Sequence, residues 1–248
     1  MSGQTVLAIV LLVGPMLLRV LKNLSISWGT VMSVSGRNVR LTRGLLDRTT
    51  VTVPLGAVHA VIVEQPNFWR PFGWWSATVL VASTIQEKKA PSHVIEMPAG
   101  KLEDVLRLLH VVLGDIGVAD PRGFLVEALE GTTSMGGFRP NPRSSRWLDP
   151  IGWRRSGVAL TPTAVVTRHG WLWSRTLGIV LHRHVQSMYL TQGPLERMCG
   201  VDTVNFGTIF GLPTNVRVRH MGVADSLPMA AEERRLAEMS SSVMELKG

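Results

Sequence analysis

A duplication constrains this chain more than any other feature. Gly44 and Leu46 recur as Gly170 and Leu172 at an offset of 126 residues. After one inserted residue, Arg48-Thr49, Val53, Val58, Gln65, Arg70 and Gly73 recur as Arg175-Thr176, Val180, Val185, Gln192, Arg197 and Gly200 at an offset of 127. A two-residue adjustment then sets Thr78-Val79 on Thr203-Val204. These are eleven identities over the 36 positions from Gly44 to Val79. Average composition gives about 2 or 3, so the chain holds two copies of one unit. The unit is too long and the copies too few for a solenoid, which leaves two related domains in tandem.

Each copy has the texture of a β domain closed by one helix. Short Val- and Thr-rich runs broken by Gly and Pro predict strands over 26–34, 37–43, 46–53, 57–65, 77–83 and 93–97. Alternation in Val51, Val53 and in Val58, Ala60, Ile62 turns one face of each strand to a core. Residues 101–114 then read as a helix. Leu102, Val105, Leu106, Leu109, Val112 and Leu113 share one face, acids occupy the first turn and Gly114 ends it. The second copy repeats this with strands over 163–168, 171–180, 183–192, 202–206 and 215–220 and a helix over 227–239 that has Pro228 near its start. The predicted domains span 23–114 and 157–240. Between them, 115–156 reads as a Pro/Gly/Arg-rich linker that a short helix over 124–129 interrupts, and 241–248 as a flexible tail.

The start of the chain has a different character. Thr5 to Leu21 is apolar apart from Arg19. Its 17 residues cover ~25 Å as a helix, a little short of a hydrocarbon core of ~30 Å. Residues 1–22 therefore predict a transmembrane or membrane-interfacial helix, with a buried core helix as the alternative. A secretory signal is disfavoured: no basic residue precedes the run and no small-residue cleavage site follows it. Arg19, Lys22, Arg37, Arg40 and Arg43 all follow the run, which orients the rest of the chain to the cytoplasm. A single cysteine, Cys199, agrees with a reducing compartment and excludes an internal disulfide or a cysteine-based zinc cluster.

Charge is unevenly spread. The net +8 resolves into +1 over 1–21, +4 over 22–79, −3 over 80–138, +8 over 139–220 and −2 over 221–248, so the two basic blocks coincide with the two domains. With eight Trp, this points to an anionic partner, either a lipid surface or nucleic acid. Nucleic acid is the weaker reading, because the chain shows no helix-turn-helix, zinc spacing or stacking-aromatic sheet signature.

Two segments carry a family resemblance: GLLDRTTVTVPLGAVHAVIVEQPNFWRPFGWWSATV and WLDPIGWRRSGVALTPTAVVTRHGWLWSRTLGIVLHRHVQSMYLTQGPLERMCGVDTV. They resemble the bacterial PH-like domain membrane proteins of the YdbT type over about residues 26–113 and 147–239. The resemblance implies a mainly β fold, with two tandem PH-like β-sandwich or barrel domains each capped by a C-terminal helix, preceded here by the N-terminal hydrophobic helix. It implies no catalytic residues and no cofactor. The apolar start, the repeat and the Trp-rich first loop lead to the expectation of a non-enzymatic, membrane-anchored adaptor on the anionic inner leaflet of the cell membrane that binds another membrane protein; the resemblance suggests a smaller PH-domain protein as that partner. Family members often have membrane hairpins and three domains, and this chain departs from that layout.

Two constellations are candidate contact sites. Phe68, Trp69, Arg70, Phe72, Trp74 and Trp75 crowd into PNFWRPFGWW, a candidate membrane-contact loop. Such a loop can wedge indoles at headgroup level, or plug the open end of the sandwich with half of its rings. The matching loop of the second copy has Leu195, Arg197 and Met198 but no Trp, so only the first domain is expected to insert. Arg139, Arg143, Arg146, Arg154 and Arg155, with Arg197, form a candidate basic patch for lipid or partner. The interleaved Trp147 and Trp153 are expected to pack on the second domain. Arg48 and Arg175 recur beside Thr49 and Thr176; a cross-strand pair on an exposed face is favoured there over a lipid-specific pocket. His169, His182 and His184 could in principle meet around a metal, which keeps a His-based metal hydrolase as a further alternative, although exposed or hydrogen-bonded histidines are favoured.

Overall fold

The computed structural model describes residues 31–35, 38–43, 49–81, 94–132, 134–170, 172–207 and 216–245. The expected helix over 1–22 lies outside these residues. Among the described residues no helix is long and apolar enough to cross a membrane.

The first copy contributes β1 (Val31–Ser35), β2 (Asn38–Arg43), β3 (Thr49–Pro54), β4 (Val58–Pro66), β5 (Trp74–Val81), β6 (Val94–Lys101) and helix α1 (Leu102–Leu113). Helix α2 (Pro121–Glu130) and the short β7 (Arg139–Pro140) follow. The second copy supplies β8 (Gly157–Leu160), β9 (Ala164–His169), β10 (Ser174–Leu181), β11 (Ser187–Thr191), helix α3 (Pro194–Met198), β12 (Val201–Gly207), β13 (Arg217–Gly222) and helix α4 (Val223–Glu245). The fold is mainly β with antiparallel sheets. Strand β8 precedes the first strand expected in the second copy, and α4 runs through the first residues of the expected tail.

The duplication is visible in the backbone. Adding 126 carries β1 and β2 onto β8 and β9; adding 127 carries β3 into β10 and the 3-10 turn Leu55–Ala57 onto His182–His184. The same 127 sets Gly73 (φ 62°) on Gly200 (φ 66°), two left-handed positions that open β5 and β12. Both of those strands then shift register at the same repeat position, between Trp75 and Ala77 in one and between Asp202 and Val204 in the other. The offset of 127 therefore persists through β5 and β12, and the two-residue adjustment at Thr78 is not needed.

The two copies share a sheet. Strand β4 pairs antiparallel with β10, from Ala60 opposite Val180 to Pro66 opposite Ser174. This builds one seven-stranded sheet in the order β6-β5-β4-β10-β9-β8-β7, beside the three-stranded sheets β1-β2-β3 and β11-β12-β13. The seven-stranded sheet is the central layer. On one face Val61, Val63, Leu177, Ile179 and Leu181 meet α1 and α2. On the other, Ala60, Val165 and Val180 meet Val204, Phe206 and Val218 of the three-stranded sheet and Met229 of α4. Strand β10 is buried on both faces, which is why it reads as the unbroken run LGIVL. Gly178 permits the close approach of the layers, since a Cβ there would sit 2.9 Å from Thr167 Oγ1 and 3.0 Å from Val216 Cγ2.

The stretch expected as a linker is packed. Asp120 caps α2 by accepting from the Gly123 N–H at 2.9 Å, Pro121 takes the first helical position, and Phe124, Leu125, Ala128 and Leu129 are buried in the shared core.

Candidate functional site

Strand β4 cannot continue past Pro66. The chain turns through the 3-10 segment Asn67–Phe72, which contains Pro71 and stops at Gly73. Lys101 ties the turn from below by donating from Nζ to the Phe72 carbonyl at 2.6 Å. The Asn67 N–H donates to the Trp173 carbonyl at 2.8 Å, so the β9–β10 turn of the second copy lies against this loop. That turn depends on Gly170 (φ 78°), where a Cβ would run into the Ser174 carbonyl oxygen.

The two loops together expose a set of large apolar side chains. Phe68 is 70% exposed, Phe72 57%, Trp74 38%, Leu172 42% and Trp173 84%. The rings of the first loop form a contact series: Phe72 stacks on Trp74 with centroids 5.1 Å apart, Trp74 meets Trp69 edge-on at 6.4 Å, and Trp69 meets Phe68 edge-on at 5.9 Å. Of the six candidate contact residues, Phe68, Phe72 and Trp74 are exposed, while Trp69 and Arg70 are half-buried at the base of the patch. Trp75 is not a surface residue. Strand alternation turns it inward to 1% exposure in the core beneath α1. Leu172 and Trp173 were missed as contact residues, because strand pairing brings them to the loop from a hundred residues away. Their signal was the exposed-turn chemistry of Gly170 beside two bulky apolar residues.

Arginines back this patch. Arg175 lies opposite Gln65 across the β4–β10 joint, and its charge, after burial, helps hold the Arg70 guanidinium below the usual arginine range. Arg168 pairs with Glu127 at 3.2 Å and lies over the Phe138 ring at 4.1 Å. Arg155 departs from the expected basic patch: it is fully buried, donating to the carbonyls of Leu129 at 2.6 Å, Gly131 at 2.7 Å and Ala128 at 3.3 Å. It thus satisfies the C-terminal carbonyls of α2. Burial, and then the charges of Arg175, Arg168 and Arg70, push its pKa down, with Glu127 opposing them; it still carries its charge at neutral pH. Arg155 thus lies in the field of Arg175, Arg168 and Arg70 with Glu127 as the opposing carboxylate, and Arg70 in that of Arg175, which makes the base of the aromatic patch at Arg70 electropositive.

Residues 3–115 and 141–232 match the family described as the bacterial PH domain. The chain belongs to that family. No curated protein matches it. The two matched stretches agree with tandem PH-like units, and membership in this family points to a protein-interaction or lipid-binding module rather than to catalysis.

The expected basic patch of this PH-domain protein is divided: Arg146 and Arg154 line one cavity with Arg155, Ile151 and Trp153, while Arg139 and Arg197 lie elsewhere. Arg143, Arg146 and Arg154 are exposed around Trp147, itself 87% exposed, and Ile151 at 45%. Trp147 therefore does not pack on the second domain; Trp153 is half-buried, with Arg154 5.5 Å from its ring centre. Arg139 is held by Glu232 of α4 at 2.6 Å. Arg197 is exposed on α3, beside Leu195 at 65% and Met198 at 84% exposure, so the second copy also presents apolar side chains at this repeat position. Arg48 lies outside the described residues.

The three histidines do not meet. Thr176 pairs with His169 at one end of the β9–β10 hairpin, and His182 follows Leu181 at the other, six residues or about 20 Å further along. His182 is buried, bonded through Nε2 to the Thr161 carbonyl at 2.7 Å and through Nδ1 to Glu233 at 2.8 Å. His184 lies against the His59 ring at 3.9 Å. Among the described residues no three His, Cys, Asp or Glu side chains gather as a metal site.

Proposed function

We propose that this PH-domain protein is a non-enzymatic adaptor of the YdbT type that rests on the anionic inner leaflet and there binds a second membrane protein. The N-terminal apolar segment anchors it as a transmembrane or interfacial helix, and both domains lie on the cytoplasmic side. The observation that carries this reading is the exposed patch of Phe68, Phe72, Trp74, Leu172 and Trp173, backed by Arg70 and Arg175. Apolar rings above fixed positive charge match the boundary between acyl chains and phosphates. A smaller PH-domain membrane protein is the partner that the tandem architecture favours.

Residues 1–22 contain no tryptophan, so indole fluorescence reports on the rest of the chain and not on the anchor. The full chain is reconstituted in phosphatidylglycerol-containing vesicles whose acyl chains are brominated near the headgroup. Trp173 and Trp74 are expected to be quenched, and Trp173→Phe and Trp74→Phe are expected to remove that quenched share. Unchanged quenching in both variants overturns contact between the patch and the bilayer.

A further inference from the structure

We propose that a second copy of this chain docks head to tail, adding its β3 to the free edge of β11 and so repeating between molecules the joint that β4 and β10 make within one. The inference follows from the repeat. The outer edge of β4 carries β10. The repeat equivalent of β4 is β11, and among the described residues β11 pairs with β12 alone. The repeat equivalent of β10 is β3, and among the described residues β3 pairs with β2 alone. Each half of the joint is therefore present once more, one in each copy, and among the described residues neither has a second strand neighbour.

Neither edge carries a charge, and the one proline, Pro54, closes the end of β3. Strand β11 reads SMYLT, with no charge and no proline, and exposes Tyr189 (55%) and Leu190 (42%). Strand β3 reads TTVTVP, again without charge. Exposed edges in monomeric proteins are commonly interrupted by Lys, Pro or a bulge. Leu190 stands at the repeat position of Val63, which is fully buried opposite Leu177 of β10 in the core that α1 and α2 share. Beside the β11 edge a groove of about 580 Å³, lined by Val185, Met188, Ala230 and Ala237 among others, opens toward α4.

The internal register transfers directly. Val61 pairs with Ile179 and Val63 with Leu177; shifting each residue by 127 sets Tyr189 between its neighbours' pairings, opposite Val51 of the next copy, and Leu190 opposite Thr50. Pro54 then falls beyond the end of β11. Because β11 meets β3 and not another β11, the contact is heterologous, and it generates rings or open chains of copies.

The test is disulfide trapping in the full chain, in mild detergent and with Cys199→Ser as background. Tyr189→Cys and Val51→Cys are made in separate chains, as are Leu190→Cys and Thr50→Cys. Adjacent antiparallel pairs alternate between close and wide spacing, so one of the two combinations has the close geometry. Oxidising the mixed chains is expected to give a species of doubled mass, while each single variant alone gives none. A chain carrying both cysteines of a pair is expected to give a ladder. Leu190→Lys, an exposed change that leaves the core intact, is expected to weaken self-association in sedimentation at least tenfold. Absence of a bond in both mixtures overturns the proposal. So does self-linking of Tyr189→Cys alone, which would mean symmetric edge pairing, or a chain that stays monomeric at tens of micromolar while its β11 edge takes up a different PH-domain protein.

Discussion

Val63 of β4 lies directly opposite Leu177 of β10, and both side chains are fully buried. The pair belongs to different copies of the repeat, so this fully buried part of the core is made by neither copy alone. Their shared face also takes Leu109 of α1 and Leu129 of α2, which joins the segment between the copies to the same core.

Leu177→Ala is therefore expected to act on the whole molecule. Loss of a fully buried leucine from a close-packed core costs about 2–5 kcal/mol. If the copies were independent beads, the variant would split thermal unfolding into two steps, with the first copy unaffected. A shared sheet predicts one transition displaced as a unit. Calorimetry together with fluorescence separates the two, since Trp75 sits in the first-copy part of that core. Two resolved transitions would show that the joint does not couple the copies.

Trp74 and Trp75 are neighbours in sequence with opposite fates. Trp75→Ala removes a side chain at 1% exposure and is expected to cost about 3–5 kcal/mol. Trp74→Ala removes one at 38% exposure that stacks on Phe72 and meets Trp69 edge-on, contacts of about 0.5–1.5 kcal/mol each beyond area burial, and is expected to cost clearly less than Trp75→Ala. Denaturant midpoints of the two variants measure the difference. Comparable losses would place Trp74 in the core and remove it from the exposed patch.

The arginines separate by the same logic. Arg155→Met leaves three carbonyls at the end of α2 without their donor. Bonds to a charged group contribute about 1.5–3 kcal/mol, so a clear loss of stability is expected, with amide exchange accelerating first over Ala128–Gly131. Arg175→Ala is expected to do the reverse: to leave α2 protected and to weaken adsorption to phosphatidylglycerol vesicles by about 1 kcal/mol, or roughly fivefold, at low salt. Vesicle binding unchanged in Arg175→Ala at low salt would remove this arginine from the lipid-facing surface.

Much of this architecture is legible in the chain because repeats confine their identities to positions with geometric duties. Gly73 and Gly200 must both adopt positive φ, and Val58 and Val185 both follow a 3-10 turn. Helix α1 follows from its apolar spacing and the Gly114 stop. Helix α2 is legible only in its middle, 124–129, because the prolines and glycines around it dominate the local signal; yet Asp120-Pro121 is an N-terminal cap and Phe124, Leu125, Ala128 and Leu129 share one face. The rest depends on which strands pair. Alternation shows that Trp74 and Trp75 face opposite ways but not which one is inside, until α1 packs on Trp75. Nothing near Trp173 in sequence announces Phe68, and nothing near Arg155 announces the open carbonyls of α2; both encounters are created by the β4–β10 joint and the packing around it.

Acidification is expected to destabilise the fold over the range in which His169, His184 and, held down by burial and then Arg183, His59 resist protonation. Burial, followed by Arg219, Arg217 and Arg155, pushes His169 down to about 4, with Asp149 opposing. Burial, followed by His59 and Arg183, pushes His184 down to about 4. An unfolded histidine titrates near 6.5. Between those values the unfolded chain binds more protons than the folded one, so stability rises with pH across this window and falls as pH drops from about 7 toward 4. Both side chains are partly exposed, so solvent screening makes the loss smaller than the full shifts would suggest. His184→Gln and His169→Gln are each expected to flatten the dependence of Tm on pH between 4 and 6.5, and the double substitution to flatten it further. A slope unchanged by both substitutions would mean that other groups carry the acid sensitivity and that these imidazoles protonate without opposition in the folded protein.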